Sequence, residues 1–199
     1  MCRPQTRCDA SATSLFNGKD LSGWVVEGAD RDGQGNSVWR VKDGIIECQG
    51  HGIGYLRHAT KHNDFVLSLE YRSAPGTNSG VGFRHRSFTG ELDTRVSLTG
   101  FELQLLDDYG TPPSVNSSGA LYRYVAPKRN AIKRPMEWNA LLIECCGEHV
   151  RATLNGVLIQ DVQQASFREI QRKPLSGYIS LQNHGGNASF RNIHLRELK

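Results

Sequence analysis

The sequence has no run of about 18 apolar residues, the length a membrane-crossing helix needs, so a helical membrane span is excluded. Its five cysteines, Cys2, Cys8, Cys48, Cys145 and Cys146, include no C-x-x-C pair, which argues against zinc held by thiolates. His58 and His62 stand four residues apart but in no segment of helical period, so spacing alone indicates no metal site. There is no glycine-rich phosphate loop, no G-x-S-x-G elbow and no dinucleotide fingerprint, which removes the commonest nucleotide and serine-hydrolase readings. The net charge is only +4. The densest basic run, Lys128, Arg129, Lys133 and Arg134, is broken by Asn130-Ala131-Ile132, so it reads as a solvated loop rather than a nucleic-acid stripe. Residues 1–14 carry Arg3 and Arg7 but no apolar core segment, so as written they are not a signal peptide.

Proline is scarce and glycine is not: 7 against 21 in 199 residues, a balance that implies many tight turns in one folded domain. A helical period of 3.6 is also missing, except for a short stretch at 164–170. The recurring period is two, the signature of half-buried strands. It runs through Asp64 to Arg72, Trp138 to Cys145, His149 to Leu154, Val157 to Asp161, Ser176 to Gln182 and Ala188 to Leu195. Shorter runs lie at Val38 to Val41, Gly44 to Cys48, Val81 to Arg86 and Gly100 to Leu106. Asn155-Gly156 between two apolar runs predicts a hairpin with a two-residue turn. The expectation is an all-β sandwich of roughly ten or eleven strands, with residues 1–13 a disordered leader and 14–199 one domain. Two long segments, about 87–99 and 109–137, read as loops, and loops of this length are commonly functional.

The segment Phe101-Glu102-Leu103-Gln104-Leu105 places its apolar residues on one face and Glu102 and Gln104 on the other. A carboxylate beside an amide suits sugar hydroxyls, which need donors and acceptors together. An ordinary polar outer face is the alternative. Val81, Phe83 and His85 are expected on one face of their strand, with Gly82, Arg84 and Arg86 on the other. Arg84 then faces Glu102 if the two strands pair. His184 ends a strand just before Gly185-Gly186, a favoured place for a working side chain.

Several segments taken together resemble the 3-keto-disaccharide hydrolase family. Ser14-Leu15-Phe16-Asn17-Gly18-Lys19-Asp20-Leu21-Ser22-Gly23-Trp24 is similar to its opening signature, and Trp39-Arg40-Val41-Lys42-Asp43-Gly44 to its next element. Asn78-Ser79-Gly80 with Arg84, Glu102-x-Gln104-x-x-Asp107, Gly119-Ala120-Leu121-Tyr122, Ala126-Pro127, Asn130-Ala131 and Lys133 follow in family order. Glu137-Trp138-Asn139, Asn155-Gly156, Leu181-Gln182-x-His184-Gly185 and Phe190-Arg191-Asn192-Ile193 complete the resemblance, which spans about 14–198. Two departures stand out: the segment between Arg84 and Glu102 is longer than usual, and Asn183 occupies a position where many relatives carry Asp.

The resemblance implies a concanavalin A-like jelly roll of two antiparallel sheets with a sugar cleft on its concave face. It also implies cleavage of glycosides bearing a ketone at C3. Such a ketone acidifies the C2 proton, so a base can start elimination of the aglycone, and water then adds back. Glu102 or His184 is the expected base. Arg84, Lys133 or a divalent cation is expected at the enolate oxygen, with Gln104, Asp107, Tyr122 and Gln182 on sugar hydroxyls. If a cation binds, Glu102, Asp107 and His184 are its candidate ligands. The expected partner is a carbohydrate, not a nucleic acid, and the family suggests export. A non-catalytic carbohydrate-binding module is the rival reading, since jelly rolls host both. A docking domain of a surface assembly is a third, and it would need a broad exposed apolar patch.

Overall fold

Alternation of apolar and polar residues is what builds this molecule. In a computed structural model, which describes residues 11–198, the alternating segments become antiparallel strands whose apolar sides face one another. Thirteen strands are formed: β1 (Thr13–Ser14), β2 (Trp24–Gly28), β3 (Trp39–Lys42), β4 (Ile45–Cys48), β5 (Gly54–His58), β6 (Phe65–Ser73) and β7 (Asn78–His85). They continue as β8 (Phe101–Leu106), β9 (Asn139–Cys146), β10 (His149–Leu154), β11 (Val157–Gln163), β12 (Tyr178–Asn183) and β13 (Ala188–Glu197).

The strands form two sheets. The larger runs β11-β10-β9-β6-β13-β4-β3, with β1 added beside β13, and the smaller runs β2-β5-β12-β7-β8. This is the jelly-roll sandwich expected from the sequence. The core lies between the sheets, where Leu56, Val81, Phe83, Leu103, Ile179 and Leu181 of the smaller sheet meet Leu67, Leu69, Ile143 and Phe190 of the larger, all buried. The Phe83 and Phe101 rings stack at 5.2 Å across β7 and β8. The Asn155-Gly156 hairpin forms as expected, with positive φ at both turn residues, 51° and 79°, the condition for that turn.

Three strands were not foreseen. β2 carries Val25 and Val26 both exposed, so its pattern does not alternate. β5 is buried on both faces, which erases the period-two signal. β1 is two residues long, and its Thr13 pairs with Leu195. The remainder of the expected leader lies mostly outside the described residues. The 164–170 stretch makes only a short 3-10 turn, Gln164–Ser166. The expected 87–99 loop contains a one-turn helix, α1 (Val96–Thr99).

The second long loop holds no regular element between 107 and 138, and it runs along the free edge of β8. There the Gly119 N–H donates to Gln104 O, Gln104 N–H to Ala120 O and Tyr122 N–H to Glu102 O. Its other side is held to the larger sheet, with Lys128 N–H donating to Ile159 O and Gln160 Nε2 donating to Gly119 O at 2.8 Å. The loop thus covers an edge that would otherwise present unpaired backbone groups, and it brings Arg123 to the rim of the outer face carrying Glu102.

Candidate active site

The outer face of the smaller sheet should be wet and polar, because its inner face takes the apolar residues. It is polar but not wet. Tyr55, Arg57, Glu102, Gln104, Ser180 and Gln182 all point to this face and all are buried, Glu102 and Gln104 at 3% exposure. The cover is the 87–99 segment, fastened at both ends. At its start, Glu27 accepts the Phe88 N–H at 2.8 Å while its other oxygen pairs with Arg57. At its end, Lys173 donates to the carbonyls of Ser97, Leu98 and Gly100 at 2.8, 3.1 and 2.6 Å. The cover fits closely because Gly82 has no side chain; a Cβ there would collide with Ser180 Oγ and Val96 Cγ1. Tyr55, Phe88 and Val96 form a small apolar cluster beneath it.

Burial leaves polar atoms unsatisfied. Among the described residues, Gln104 Oε1, Gln182 Oε1, Ser180 Oγ, His85 Nε2 and Arg95 Nε are buried without a hydrogen-bond partner. Native proteins rarely leave such atoms without a partner. Five in one region describe a surface shaped for a polar ligand or bound water.

Electrostatics single out one acid here. Burial pushes the Glu102 carboxyl up to about 7, against the lowering influence of the Gln182 amide, Arg95 and Arg123. Beside it, Tyr55 is pushed up to about 12, by burial first and then by the Glu102 charge. His85 is driven down to about 4 by burial and stays neutral at physiological pH. Its Nδ1 lies 2.6 Å from Arg86 O and donates to it, so the unpartnered Nε2 is an acceptor. His184 is lowered by burial and by the Arg95 charge.

Not every residue expected in the site arrives there. Glu102, Gln104 and Gln182 share the covered face. His184 joins them through a relay: Gln104 Nε2 donates to Asn78 Oδ1 at 2.9 Å, and Asn78 Nδ2 lies 3.2 Å from His184 Nδ1. With that amide donating, the His184 proton sits on Nε2. Tyr122 lies alongside through its backbone bond to Glu102 O, its ring half-buried. Asp107 is exposed and accepts the Gly76 N–H at 2.9 Å. The exposed Lys133 donates to Trp138 O at 2.9 Å, and with Asp107 it lines a shallow recess that includes neither Glu102 nor His184.

Arg84 departs most from expectation. It does not face Glu102. The β12–β7 register slips between Tyr178 and Ile179, and Arg84, at φ 52°, is the extra residue of a β-bulge. Its guanidinium turns inward, fully buried, and donates to Asn63 O, Gly147 O and Asp64 Oδ1 at 2.9, 2.6 and 2.8 Å. The bulge also moves His85 from the expected core face to the outer face, because one added residue reverses the alternation. Gly100 and Gly177 flank it, and a Cβ on either would strike the Arg84–His85 backbone. Asn183 is likewise structural, buried between His51 O and Cys48 Sγ.

The suggested metal ligands do not assemble. Among the described residues no three His, Cys, Asp or Glu side chains converge on one point, and the Asp107 carboxylate is bound to the Gly76 turn. Glu102, Asp107 and His184 therefore make no common centre for a metal ion.

Sequence reading missed Arg95, His85, Tyr55 and Arg123. Only the length of the two loops carrying Arg95 and Arg123 hinted at them.

The fold is thus a jelly-roll sandwich with a buried acid among amides on the outer face of its smaller sheet. Comparison with known proteins narrows this. Residues 11–196 match the family described as the 3-keto-alpha-glucoside-1,2-lyase-like domain, and the chain belongs to that family. It is 25% identical to a 3-keto-disaccharide hydrolase of Bacteroides thetaiotaomicron, over 93% of this chain and 78% of that protein. A crystal structure of a proposed glycosyl hydrolase from Parabacteroides distasonis superposes with a TM-score of 0.76 at 24% identity, over 94% of this chain and 100% of that one. A second such structure from that organism reaches 28% identity at a TM-score of 0.66, covering 95% and 84%. The carbohydrate-binding module CBM66 of Bacillus subtilis shares the fold, at a TM-score of 0.60 and 13% identity over 88% and 96%.

Proposed function

We propose that this protein cleaves glycosides whose sugar carries a ketone at C3, with Glu102 as the base that removes the C2 proton. The observation that carries this is the Glu102 carboxyl itself. It is buried among neutral amides and pushed up to about 7, close to working pH, where a general base is most effective. A buried acid of this kind is costly in a surface that only binds sugar, and it is the group that an elimination requires.

In the proposed reaction the Glu102 carboxylate takes the C2 proton and the C2–H electrons form the enolate of the C3 ketone. The enolate then collapses: C3=O reforms, C1=C2 forms, and the C1–O bond breaks with its electron pair going to the aglycone. The leaving oxygen takes up a proton from water while the His184 Nε2–H, set by the Asn78 amide on Nδ1, donates a hydrogen bond to it. Water adds at C1 and C2 regains a proton, so the net change is hydrolysis. Gln104 and Gln182, each with a free carbonyl oxygen, accept from sugar hydroxyls. Positive charge is needed at the enolate oxygen. Arg84 and Lys133, the candidates from sequence, are occupied elsewhere.

The test is turnover of a 3-keto-glucoside beside its unoxidised parent, with and without EDTA. Cleavage of the keto form alone, lost in Glu102→Gln, is expected. EDTA sensitivity would add a cation to the mechanism. Binding without cleavage by the wild-type chain would make it a carbohydrate-binding module.

A further inference from the structure

We infer that Arg95 is the catalytic group that stabilises the enolate oxygen, and that Lys173 is the positioning residue that holds it over the covered face. The inference rests on the proposed elimination reaction and deepens it.

The argument starts from what a cation must do here. The enolate carries a full negative charge on the C3 oxygen, formed beside a base that has just lost its own charge. A fixed positive group in a water-poor site stabilises it far more than a mobile one at the rim. Four cations near this half of the molecule are already committed. Arg84 is buried against Asp64 and two carbonyls. Arg57 pairs with Glu27, donates to His58 O and lies 4.0 Å over the Tyr178 ring. Lys133 is spent on Trp138 O, and Lys173 on three carbonyls of the cover. Arg123 influences Glu102 but is exposed on the rim.

Arg95 differs from all of them. It is half-buried, and its Nε is buried without a partner. Its chain neighbour Val96 packs against Tyr55 and over Gly82, the residue paired with Glu102, so Arg95 lies on the cover beside the face of the proposed base, and its charge acts on Glu102, Tyr55 and His184 alike. A buried guanidinium nitrogen left without an acceptor is rare, and an enolate oxygen is an acceptor of the right charge.

Its position is set from below. The Arg95 carbonyl accepts from Leu98 and Thr99 at the start of α1, and Lys173 ties off the end of that turn. The Lys173 ammonium lies 5.6 Å over the Phe101 ring and 4.6 Å over Tyr124. Phe101 neighbours Glu102 on β8, so the clamp links the cover carrying Arg95 to the strand carrying the base.

The experiment uses the full chain and p-nitrophenyl 3-keto-glucoside. Arg95→Met is expected to lower kcat by about 10²–10³-fold with KM within threefold, and guanidinium added to the buffer should restore part of the rate. The acidic limb of the kcat/KM profile should move to higher pH, because a positive charge beside Glu102 is gone. Arg95→Lys should keep more activity than Arg95→Met, and Arg123→Met should lose far less. Thermal unfolding of each variant separates lost chemistry from lost fold. Turnover by the wild-type chain with Arg95→Met within fivefold of it would overturn the inference and leave the functional reading standing. No turnover by the wild-type chain would overturn both.

Discussion

The outer faces of the two sheets start from the same alternation and reach opposite conditions. On the larger sheet, β6 reads buried and half-exposed in strict alternation. Its outward charges find partners in water, as in the Arg191–Glu70 pair at 2.6 Å and the Arg151–Glu144 pair at 3.5 Å. On the smaller sheet, β7, β8 and β12 are buried on both faces. There the outward polar groups keep orphaned atoms, and a carboxyl sits well above its usual range. A charge on an open face costs little and contributes little. Under the 87–99 cover the same charge becomes chemically distinctive, because it has lost its water.

The comparison is broken most severely by Glu102→Gln. Turnover should fall by about 10²–10⁴-fold, the usual share of a positioned base, as read in single-substrate kinetics. The same variant probes stability. A carboxyl whose folded value is raised from 4.5 to about 7 favours the fold below its unfolded value, and that contribution is lost as pH rises through about 7. The loss is roughly 3 kcal/mol at most. Melting curves of wild type should therefore decline from pH 5 to pH 8 relative to Glu102→Gln, which should be the more stable at pH 8. The comparison with the variant matters because His85, lowered to about 4, acts in the opposite sense: neutral in the fold, it costs stability as pH falls from 6.5 toward 4.

Next in size is Arg84→Met. It should destabilise the protein by about 3 kcal/mol, since it leaves two carbonyls and Asp64 without their buried partner. The protein that remains folded should keep a normal pH profile of turnover, because Arg84 does not face Glu102. A displaced acidic limb would put it back in the site. Lys173→Met should cost about 1.5–3 kcal/mol for its charged hydrogen bonds, and should lower kcat more than it raises KM by loosening the cover. Smallest is Arg191→Ala on the open face, within about 1 kcal/mol of wild type in denaturant titration and without effect on turnover. A large activity loss there would mean the two faces are not functionally distinct.

Much of this was legible in the residues. Period two announced a sandwich, Asn155-Gly156 announced its hairpin, and the Glu102-x-Gln104 alternation separated core from outer face correctly. The reading failed where alternation itself fails. β5 is buried on both sides and β2 is exposed at consecutive valines, so neither shows the period. The bulge at Arg84 inserts one residue, which exchanges the faces of Arg84 and His85, and nothing local marks it. Asp107 and Lys133 fall on family motifs, yet each is taken up by a turn or a carbonyl beside it.

By itself, then, the sequence determined most of the strands and the sides of most of those. These follow from local periodicity, which any short window of chain contains. Only the tertiary structure decided which polar residues lose their water, which cation is left free and which histidine looks outward. Those depend on a loop folding back over a sheet and on the register between strands far apart in sequence, and no window of residues carries that information.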